Sequence, residues 1–147
     1  LFNDHYVIIA DRSNASVRDG MSYQDFCAIE HVETRFGGDL KSPVERTLST
    51  MECKPPTALR VSTYALALDA VLGTSMTAIV PNRVARMSSH HSEISVIEPP
   101  FELPALNHKL IWHRRNEHDP AHRWLREFLS EFSRSAQFHR SELGDAA

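Results

Sequence analysis

The chain has 147 residues, of which 41% are hydrophobic and 24% are charged, and its net charge is −3 with histidine neutral. This composition is typical of one folded domain with a buried core and excludes an intrinsically disordered chain. The acidic balance gives no overall positive field for a phosphate backbone, and no apolar run approaches the ~18 residues of a membrane span.

The first predicted element is a buried strand at His5–Ala10. Its sequence, HYVIIA, is a continuous apolar run rich in β-branched residues, which is typical of a strand covered on both faces. The polar segment SNASVRDG follows as a loop. Because the chain starts with Leu almost directly on this strand, we expect it to be a fragment of a longer protein.

Strands and helices then alternate. Ser22 and Asp25 match a capping box before a short helix, and Ser42, Pro43 and Glu45 carry the same signature before a second one. The further predicted strands are HVETRF (ended by the turn GGD), ALRVS, MTAIV, SEISVI and HKLIWH, and the further helices are TYALALDAVLG, NRVARM capped by Asn82, and one from Pro120 to about Gln137. This alternation predicts an α/β fold with a mostly parallel sheet and helices on both faces.

Polar side chains follow three of the predicted strands at the end where each strand stops. They are Thr34 and Arg35 at the end of the second strand, Ser62, Thr63 and Tyr64 between the ALRV strand and its helix, and Pro81 and Asn82 after the TAIV strand. In such sheets, ligands bind beyond the carboxyl ends of strands, where helix N-termini present free N–H groups. We therefore predict a site for a small anion or for a phenolic ring with a carboxylate. The alternative is that the Thr and Asn side chains only cap helices, the Arg is a surface charge and the Tyr packs.

A histidine-rich segment near the end of the chain offers two other kinds of site. In WHRRNEHDPAHRWLREFL, three histidines (His113, His118 and His122) could bind zinc, but Pro120 interrupts the helix between the last two and no HExxH motif is present. Acidic residues are interleaved with its arginines, so the segment lacks the field of a nucleic-acid surface. We predict neither site. Asp119 is instead expected to cap the last helix, with the Trp124 ring in the core.

The chain offers no anchor for an enzyme. Ser42, Ser62 and Cys27 lack a nucleophile-elbow motif, and we find no phosphate-binding glycine loop and no paired carboxylates. We therefore predict no catalytic activity and no cofactor. Cys27 and Cys53 form no close-spaced motif and are expected to be reduced thiols of a cytoplasmic protein.

Two long segments carry a resemblance to a known family. LGTSMTAIVPNRVARM, followed by PPFELPALNHKLIWHRRNEHDPAHRWLREFL, resembles the carboxyl-terminal part of LysR-type transcriptional regulators. The shared pattern includes W-H-x-R-x-x-x-D-P-A-H-x-W-L-R. It is most similar to the branch that contains the nodulation regulators and the regulators of naphthalene, salicylate and nitroaromatic degradation. The resemblance extends back through LFNDHYVIIADRS and covers roughly residues 1–135.

The resemblance implies an effector-binding domain of the type 2 periplasmic-binding-protein fold, in which two lobes joined by crossover strands hold a small inducer in a cleft. The proline-rich connector at residues 98–107 would lie at the lobe boundary. The implied division is a crossover strand at 1–10, a nearly complete second lobe at 11–97, a return into a partial first lobe at 98–138 and a disordered tail at 139–147. DNA would be bound only through an amino-terminal helix-turn-helix that this chain lacks. A periplasmic solute-binding protein, which shares the fold, is the alternative.

The resemblance also implies inducer contacts. Carried over position by position, they are His31, Thr34, Arg35, Gly37, Thr63 and Tyr64. Taken alone, a histidine before a strand is more often structural. Relatives with aromatic inducers often have His at the position of Thr63, which counts against a salicylate-like ligand. Without the rest of the first lobe, we expect HKLIW and the Trp124–Phe132 helix face to be exposed, which would favour self-association or a non-sensing interaction role.

Overall fold

The structure is a computed structural model and describes residues 1–37 and 41–144, with side chains described through Ser135. The chain forms two compact units. The larger unit is His5–Ala105, and the smaller unit combines Leu1–Asp4 with Leu106–Ala147. The turn predicted at residues 37–39 lies mostly outside the described residues.

The strands and helices alternate as the sequence predicts. In chain order they are β1 (Phe2–Asp4), β2 (Tyr6–Asp11), α1 (Tyr23–Ala28), β3 (His31–Thr34), α2 (Pro43–Thr50), β4 (Thr57–Val61), α3 (Tyr64–Val71), β5 (Thr77–Pro81), α4 (Asn82–Met87), β6 (Ile94–Ile97), β7 (Leu106–His108), a 3-10 turn (Arg114–Asn116) and α5 (Pro120–Gly144). The predicted first strand, His5–Ala10, is β2, whereas β1 precedes it, was not predicted as a separate strand and belongs to the smaller unit.

The larger unit contains a five-stranded sheet in the order β4-β3-β5-β2-β6. β3 pairs in parallel with β4 and β5, whereas β2 pairs antiparallel with β5 and β6. Four of these strands therefore run in one direction, as predicted, and β2 runs in the other. The reversal was not predicted because a strand buried on both faces has the same apolar sequence pattern in either direction.

Helices cover both faces of this sheet, as predicted. Side chains alternate along each strand, so Val32 and His31 of β3 point to opposite faces. One face packs on α3 and α4 in a buried cluster of Val7, Ile9, Val32, Ala67, Leu68, Val71, Ala78, Val80, Ala85 and Ile94. On the other face, the fully buried Phe26 of α1 contacts the rings of His31 and Phe101. Phe101 thereby packs the proline-rich connector on the larger unit, which extends to Ala105.

Helix caps were predicted correctly at α1 and α2 and wrongly at α4. Ser22 forms the full capping box of α1, and the Ser42 hydroxyl accepts a hydrogen bond from the Glu45 N–H at the start of α2. β5 continues through Pro81, which occupies the cap position of α4 without a side-chain hydrogen bond. Asn82 is therefore the first helical residue, and its side chain accepts from Arg86 Nε at 3.1 Å.

In the smaller unit, β1 and β7 form an antiparallel pair. The strand predicted at HKLIWH is wrong: pairing covers only Leu106–His108, because β1 is three residues long. α5 runs from Pro120 to Gly144, past the predicted end near Gln137 and into the predicted disordered tail. No Pro or Gly interrupts the sequence between these two residues, so the helix has no local stop signal before Gly144.

The smaller unit exposes an apolar helix face. Asp119 accepts from the His122 N–H and α5 begins at Pro120, as predicted. Trp124, predicted to lie in the core, is 64% exposed and stacks on Phe128, which stacks on Phe132. The expected exposure of this face is therefore observed, and the core prediction is wrong for this chain. Within the described residues, no helix has the length and apolarity to cross a membrane.

Candidate ligand-binding site

A hollow of about 290 Å³ lies in the larger unit between α2 and the sheet. It opens where β3 ends and α3 begins, which is the part of an α/β sheet where ligands bind. Its volume is at the lower end of the ~300–1,000 Å³ range of small-molecule sites. The lining consists of His31, Glu33, Thr34, Arg35, Lys41, Ser42, Val44, Glu45, Leu48, Ser49, Lys54, Pro55, Thr57, Arg60, Tyr64 and Ile79.

Half of the predicted inducer contacts lie in this lining. His31, Thr34, Arg35 and Tyr64 surround the hollow. The other four do not line it. Ser62 is exposed, Thr63 caps α3 by accepting from the Leu66 N–H, Gly37 has a positive φ of 84° in the loop after β3, and Asn82 lines a separate surface groove with Arg12 and Arg86.

His31 provides a buried, uncharged imidazole at the base of the hollow. It is 3% exposed, its Nδ1 lies 3.3 Å from Thr77 Oγ1, and its ring meets the edge of Phe26. Burial disfavours the charged ring and lowers the pKa of His31 to about 4. The imidazole is therefore neutral at neutral pH. Its contacts with Thr77 and Phe26 give it a structural role in the core, and it also lines the hollow.

Two ion pairs fix the cationic side of the hollow. Arg35 Nη2 lies 2.8 Å from Glu45 Oε1, and Arg60 Nε lies 2.7 Å from Glu33 Oε2. Burial disfavours the charged form of Glu45, but the hydrogen bond and charge of Arg35, together with the Ser42 backbone and the charge of Lys41, lower the pKa of that carboxyl. Glu45, predicted to close the capping box of α2, also binds Arg35 across the hollow.

Tyr64 forms an aromatic wall at the start of α3. Its ring meets Phe36 edge to face at 5.0 Å, and its hydroxyl hydrogen-bonds to that of Tyr6. Burial, reinforced by the neighbouring Tyr6, raises the pKa of the Tyr64 phenol. The phenol is therefore uncharged at neutral pH.

Thr34 contributes a buried hydroxyl to the lining. Its Oγ1 has no hydrogen-bond partner within residues 1–37 and 41–144. Leaving such a group unpaired costs on the order of 1–3 kcal/mol, so a ligand atom that bonds to it would recover that energy. Thr34 Oγ1 is therefore an unpaired group that a ligand could satisfy only if the wall of the hollow moved to expose it.

Replacing this hydroxyl is expected to stabilise the protein. Thr34→Val keeps the shape and removes the unpaired group, so the free energy of unfolding should rise by about 1 kcal/mol in urea denaturation. The matched control is Thr74→Val, because the Thr74 hydroxyl bonds to the Ala70 and Val71 carbonyls. That variant should lose about 1 kcal/mol. Equal losses in both variants would show that Thr34 Oγ1 is paired in the folded protein.

The charge of the hollow is positive. Its ionised side chains are four basic ones, Arg35, Lys41, Lys54 and Arg60, and two acidic ones, Glu33 and Glu45, which gives a net charge of +2. Lys54 has no ion-pair partner in the part of the chain that the structure describes. The lining therefore suits a small anion, although the whole chain is acidic.

Sequence reasoning missed the side of the hollow formed by α2 and β4. The sequence predicts only a capping role for Glu45. At Lys54 it predicts only that the proline pair Pro55 and Pro56 interrupts the helix. Arg60 could have been found, because it lies in a predicted strand one residue from Leu59 and therefore on the opposite face. Nothing in the sequence indicated which strand α2 would cover.

The histidine-rich segment has a structural role. His113 caps the 3-10 turn by accepting from the Arg115 N–H, and Trp112 Nε1 donates to Glu117 at 2.7 Å. Among the described residues, no group of three or more His, Cys, Asp or Glu side chains is placed to hold a metal ion.

Fold and site together define an α/β ligand-binding domain. The sequence model of the family described as LysR substrate binding domain matches residues 1–134. The chain belongs to this family, and its relatives are transcriptional regulators rather than enzymes, as the resemblance implies.

The most similar relatives include regulators from rhizobia. The chain is 29% identical over 133 residues to the HTH-type transcriptional regulator SyrM 1 of Sinorhizobium fredii, which covers 88% of this chain and 39% of that protein. It is 26% identical over 132 residues to nodulation protein D 1 of Bradyrhizobium diazoefficiens, with 89% and 42% covered. The chain thus spans about two fifths of the length of these relatives. The predicted nodulation-regulator branch is confirmed.

A solved structure supports the fold. The regulatory domain of MexT, a transcriptional activator in Pseudomonas aeruginosa, is 26% identical to this chain and superposes with a TM-score of 0.67. The match covers 89% of this chain and 64% of that one.

Proposed function

We propose that this chain is the ligand-sensing part of a LysR-type transcriptional regulator that acts in the cytoplasm. A small anionic or aromatic inducer binds in the hollow between α2 and the sheet. Binding then controls how a helix-turn-helix, outside this chain, engages DNA. The observation that carries the proposal is the positively charged hollow at the end of β3, lined by four of the inducer contacts that the family resemblance implies.

The side chains of the hollow favour one chemistry of ligand. Lys54 and the paired Arg35 and Arg60 attract a carboxylate, because a charged partner roughly doubles the strength of a hydrogen bond. The Tyr64 ring offers an apolar face, and the neutral His31 adds no charge. With room for about 290 Å³, the hollow suits a single-ring carboxylate better than a larger molecule.

A ligand can act as an inducer only if it binds two states of the regulator with different affinities. α2 lies over the hollow and supplies Glu45, whose partner Arg35 lies on the strand side. A carboxylate that competes for Arg35 would loosen this ion pair. The proposed signal is therefore a change in how α2 is held against β3.

Neutralising Lys54 is expected to weaken carboxylate binding without unfolding the chain. Calorimetric titration with benzoate, and with benzamide as the uncharged analogue, measures the effect. Lys54→Gln should lower benzoate affinity about 10-fold, since a hydrogen bond to a charged group contributes about 1.5–3 kcal/mol. Lys109→Gln, the same change in the smaller unit, is the control and should bind as the unaltered chain does. An anion-selective hollow would be contradicted if Lys54→Gln bound benzoate as tightly as the unaltered chain does, or if benzamide bound as tightly as benzoate.

The exposed face of α5 favours a second candidate, self-association through the smaller unit. Trp124, Phe128 and Phe132 form a stacked apolar row, and exposed patches of this kind mark association surfaces. We propose a second copy of the chain as the partner.

The test is sedimentation equilibrium over a range of concentrations. The unaltered chain should show a mass above that of the monomer, and the paired change Trp124→Gln and Phe128→Gln should restore the monomer. Met87→Gln, which removes another exposed apolar side chain in the larger unit, should leave the mass unchanged. A monomer at every concentration excludes this candidate and leaves the sensing proposal intact.

A further inference from the structure

The two cysteines are neighbours in the folded chain, although their spacing in the sequence indicated no motif. Cys27 lies on α1, and Cys53 follows α2. Both are free thiols, of which Cys27 is buried and Cys53 is exposed. The folding of α1 and α2 onto the same side of the sheet brings them together.

A tyrosine fixes the position of Cys53. The Tyr23 hydroxyl donates to the Cys53 carbonyl at 2.6 Å and accepts from the Cys53 N–H at 3.0 Å. Tyr23 lies one helical turn before Cys27 on α1, so both side chains occupy the same helix face. The Cys27 thiol interacts with the Cys53 thiol and with the Tyr23 hydroxyl. Two bonds to the backbone of one cysteine therefore hold its thiol beside the other.

We propose that Cys27 and Cys53 form a reversible disulfide, and that this pair is an oxidant-sensitive modification site of the domain. The oxidant is a hydroperoxide. Because the Tyr23 hydroxyl holds the Cys53 backbone beside α1, the two thiols need little backbone movement to reach the geometry of a disulfide.

The two thiols have different parts in the reaction. Burial, together with the neighbouring Cys53, raises the pKa of the Cys27 thiol to about 11, so this thiol is protonated at neutral pH and is a poor first target. The exposed Cys53 reacts first. Its thiolate attacks one oxygen of hydrogen peroxide, which breaks the O–O bond, forms a sulfenic acid and releases hydroxide. Cys27 sulfur then attacks the sulfenic sulfur and displaces hydroxide, which with the Cys27 proton leaves as water. In sum, two thiols and one peroxide give one disulfide and two waters.

The position of the pair gives the bond a consequence for the hollow, and this step rests on the proposed function. Lys54 and Pro55, which line the hollow, directly follow Cys53. α2, which lines the hollow on the same side, ends at Thr50 just before it. A disulfide would tie this wall to α1 and restrict its movement. Oxidation would therefore change ligand affinity without altering any residue that touches the ligand.

The bond itself is tested by mass spectrometry of the complete chain after treatment with hydrogen peroxide. We expect a loss of about 2 Da, a peptide that joins residues 27 and 53, and return to the starting mass with dithiothreitol. The Tm of the oxidised chain should rise by several degrees, because the bond restricts the unfolded state. Cys53→Ser and Cys27→Ala should each prevent the loss. Disulfide-linked dimers through Cys53, or its oxidation to sulfinic acid while Cys27 stays reduced, would overturn the proposal.

Two further measurements separate positioning from folding and from ligand binding. Tyr23→Phe removes the hydroxyl that holds Cys53 and should slow disulfide formation several-fold, whereas Tyr64→Phe should not. Benzoate titration of the reduced and oxidised chain reports the effect on the hollow. Because the disulfide is read by mass alone, its formation is supported or refuted even if benzoate does not bind. Equal benzoate affinity in both forms would overturn the coupling to the hollow alone.

Discussion

Phe26→Ala is expected to lower the free energy of unfolding by about 3–5 kcal/mol, the largest effect of any single substitution considered for this chain. Phe26 is fully buried and is the largest such side chain in the core. Its removal forfeits the transfer energy of the ring and leaves a cavity that the surrounding rigid elements cannot fill. The ring contacts both His31 in β3 and Phe101 in the connector. One truncation therefore loosens the sheet face beneath the hollow and the attachment of the connector.

Urea denaturation of the variant measures this loss. The matched control is Phe36→Ala, because Phe36 is 57% exposed and its ring contacts only Tyr64 among the described aromatic pairs. That change should cost less than about 1 kcal/mol. Comparable losses in the two variants would mean that Phe26 does not anchor the sheet face on which it contacts His31 and Phe101.

Local features of this fold could be predicted because neighbouring residues specify them. The capping box of Ser22 and Asp25 depends on four consecutive residues, and the structure contains it as predicted. The proline start of α5 depends on the covalent restriction of its first residue. Polar residues after β3 were placed at the hollow because all parallel strands end at the same edge of a sheet.

Features that depend on distant partners could not be predicted. Glu45 satisfies every local requirement of a capping box, yet its carboxylate is bound by Arg35, which reaches it only after α2 has folded over β3. Asn82 is a good cap residue, but the pairing of Pro81 in β5 moves the helix start by one position. In each case a tertiary contact outweighs a local preference worth about 1 kcal/mol.

The apolar side chains of α5 also show that burial cannot be predicted from local sequence alone. Trp124, Phe128 and Phe132 have the helical spacing that predicts burial, and they are exposed. Periodicity indicates which face of a helix requires a partner but contains no information about whether this chain supplies one. Burial of such a face therefore requires a tertiary or quaternary partner, which helical spacing alone cannot identify.

Acidification from pH 7 to pH 5 is expected to destabilise the larger unit by about 2 kcal/mol through His31 alone. The pKa of this buried imidazole is lowered to about 4 in the folded protein, against 6.5 for an unperturbed histidine. Well above pH 6.5 the ring is neutral in both states and has no effect on stability. Between pH 6.5 and 4 the unfolded state binds the proton more tightly, so the free energy of unfolding falls as the pH falls.

The choice of pH range isolates this histidine from the carboxylates. Hydrogen bonds lower the pKa values of Asp11, Asp25 and Asp119 from 3.8, so these groups stay ionised in the folded state throughout the range from pH 7 to pH 5. Their loss of charge would destabilise the fold only at lower pH. Glu45, whose pKa is lowered from 4.5, adds only a small part near pH 5, so most of a slope seen above pH 5 has its origin in histidine.

His31→Asn removes the titrating ring while keeping an amide near the position of Nδ1, which lies 3.3 Å from Thr77 Oγ1. Urea denaturation at pH 7, 6 and 5 should show a stability slope about 2 kcal/mol shallower in this variant than in the unaltered chain. His118→Asn, the same change at an exposed histidine, should keep the full slope. The comparison also bears on the ligand, because a neutral His31 leaves the attraction for a carboxylate to the four basic side chains of the lining, Arg35, Lys41, Lys54 and Arg60. If His31→Asn and the unaltered chain lose stability in parallel, burial does not lower the pKa of His31, and mild acid would add a positive charge to the hollow.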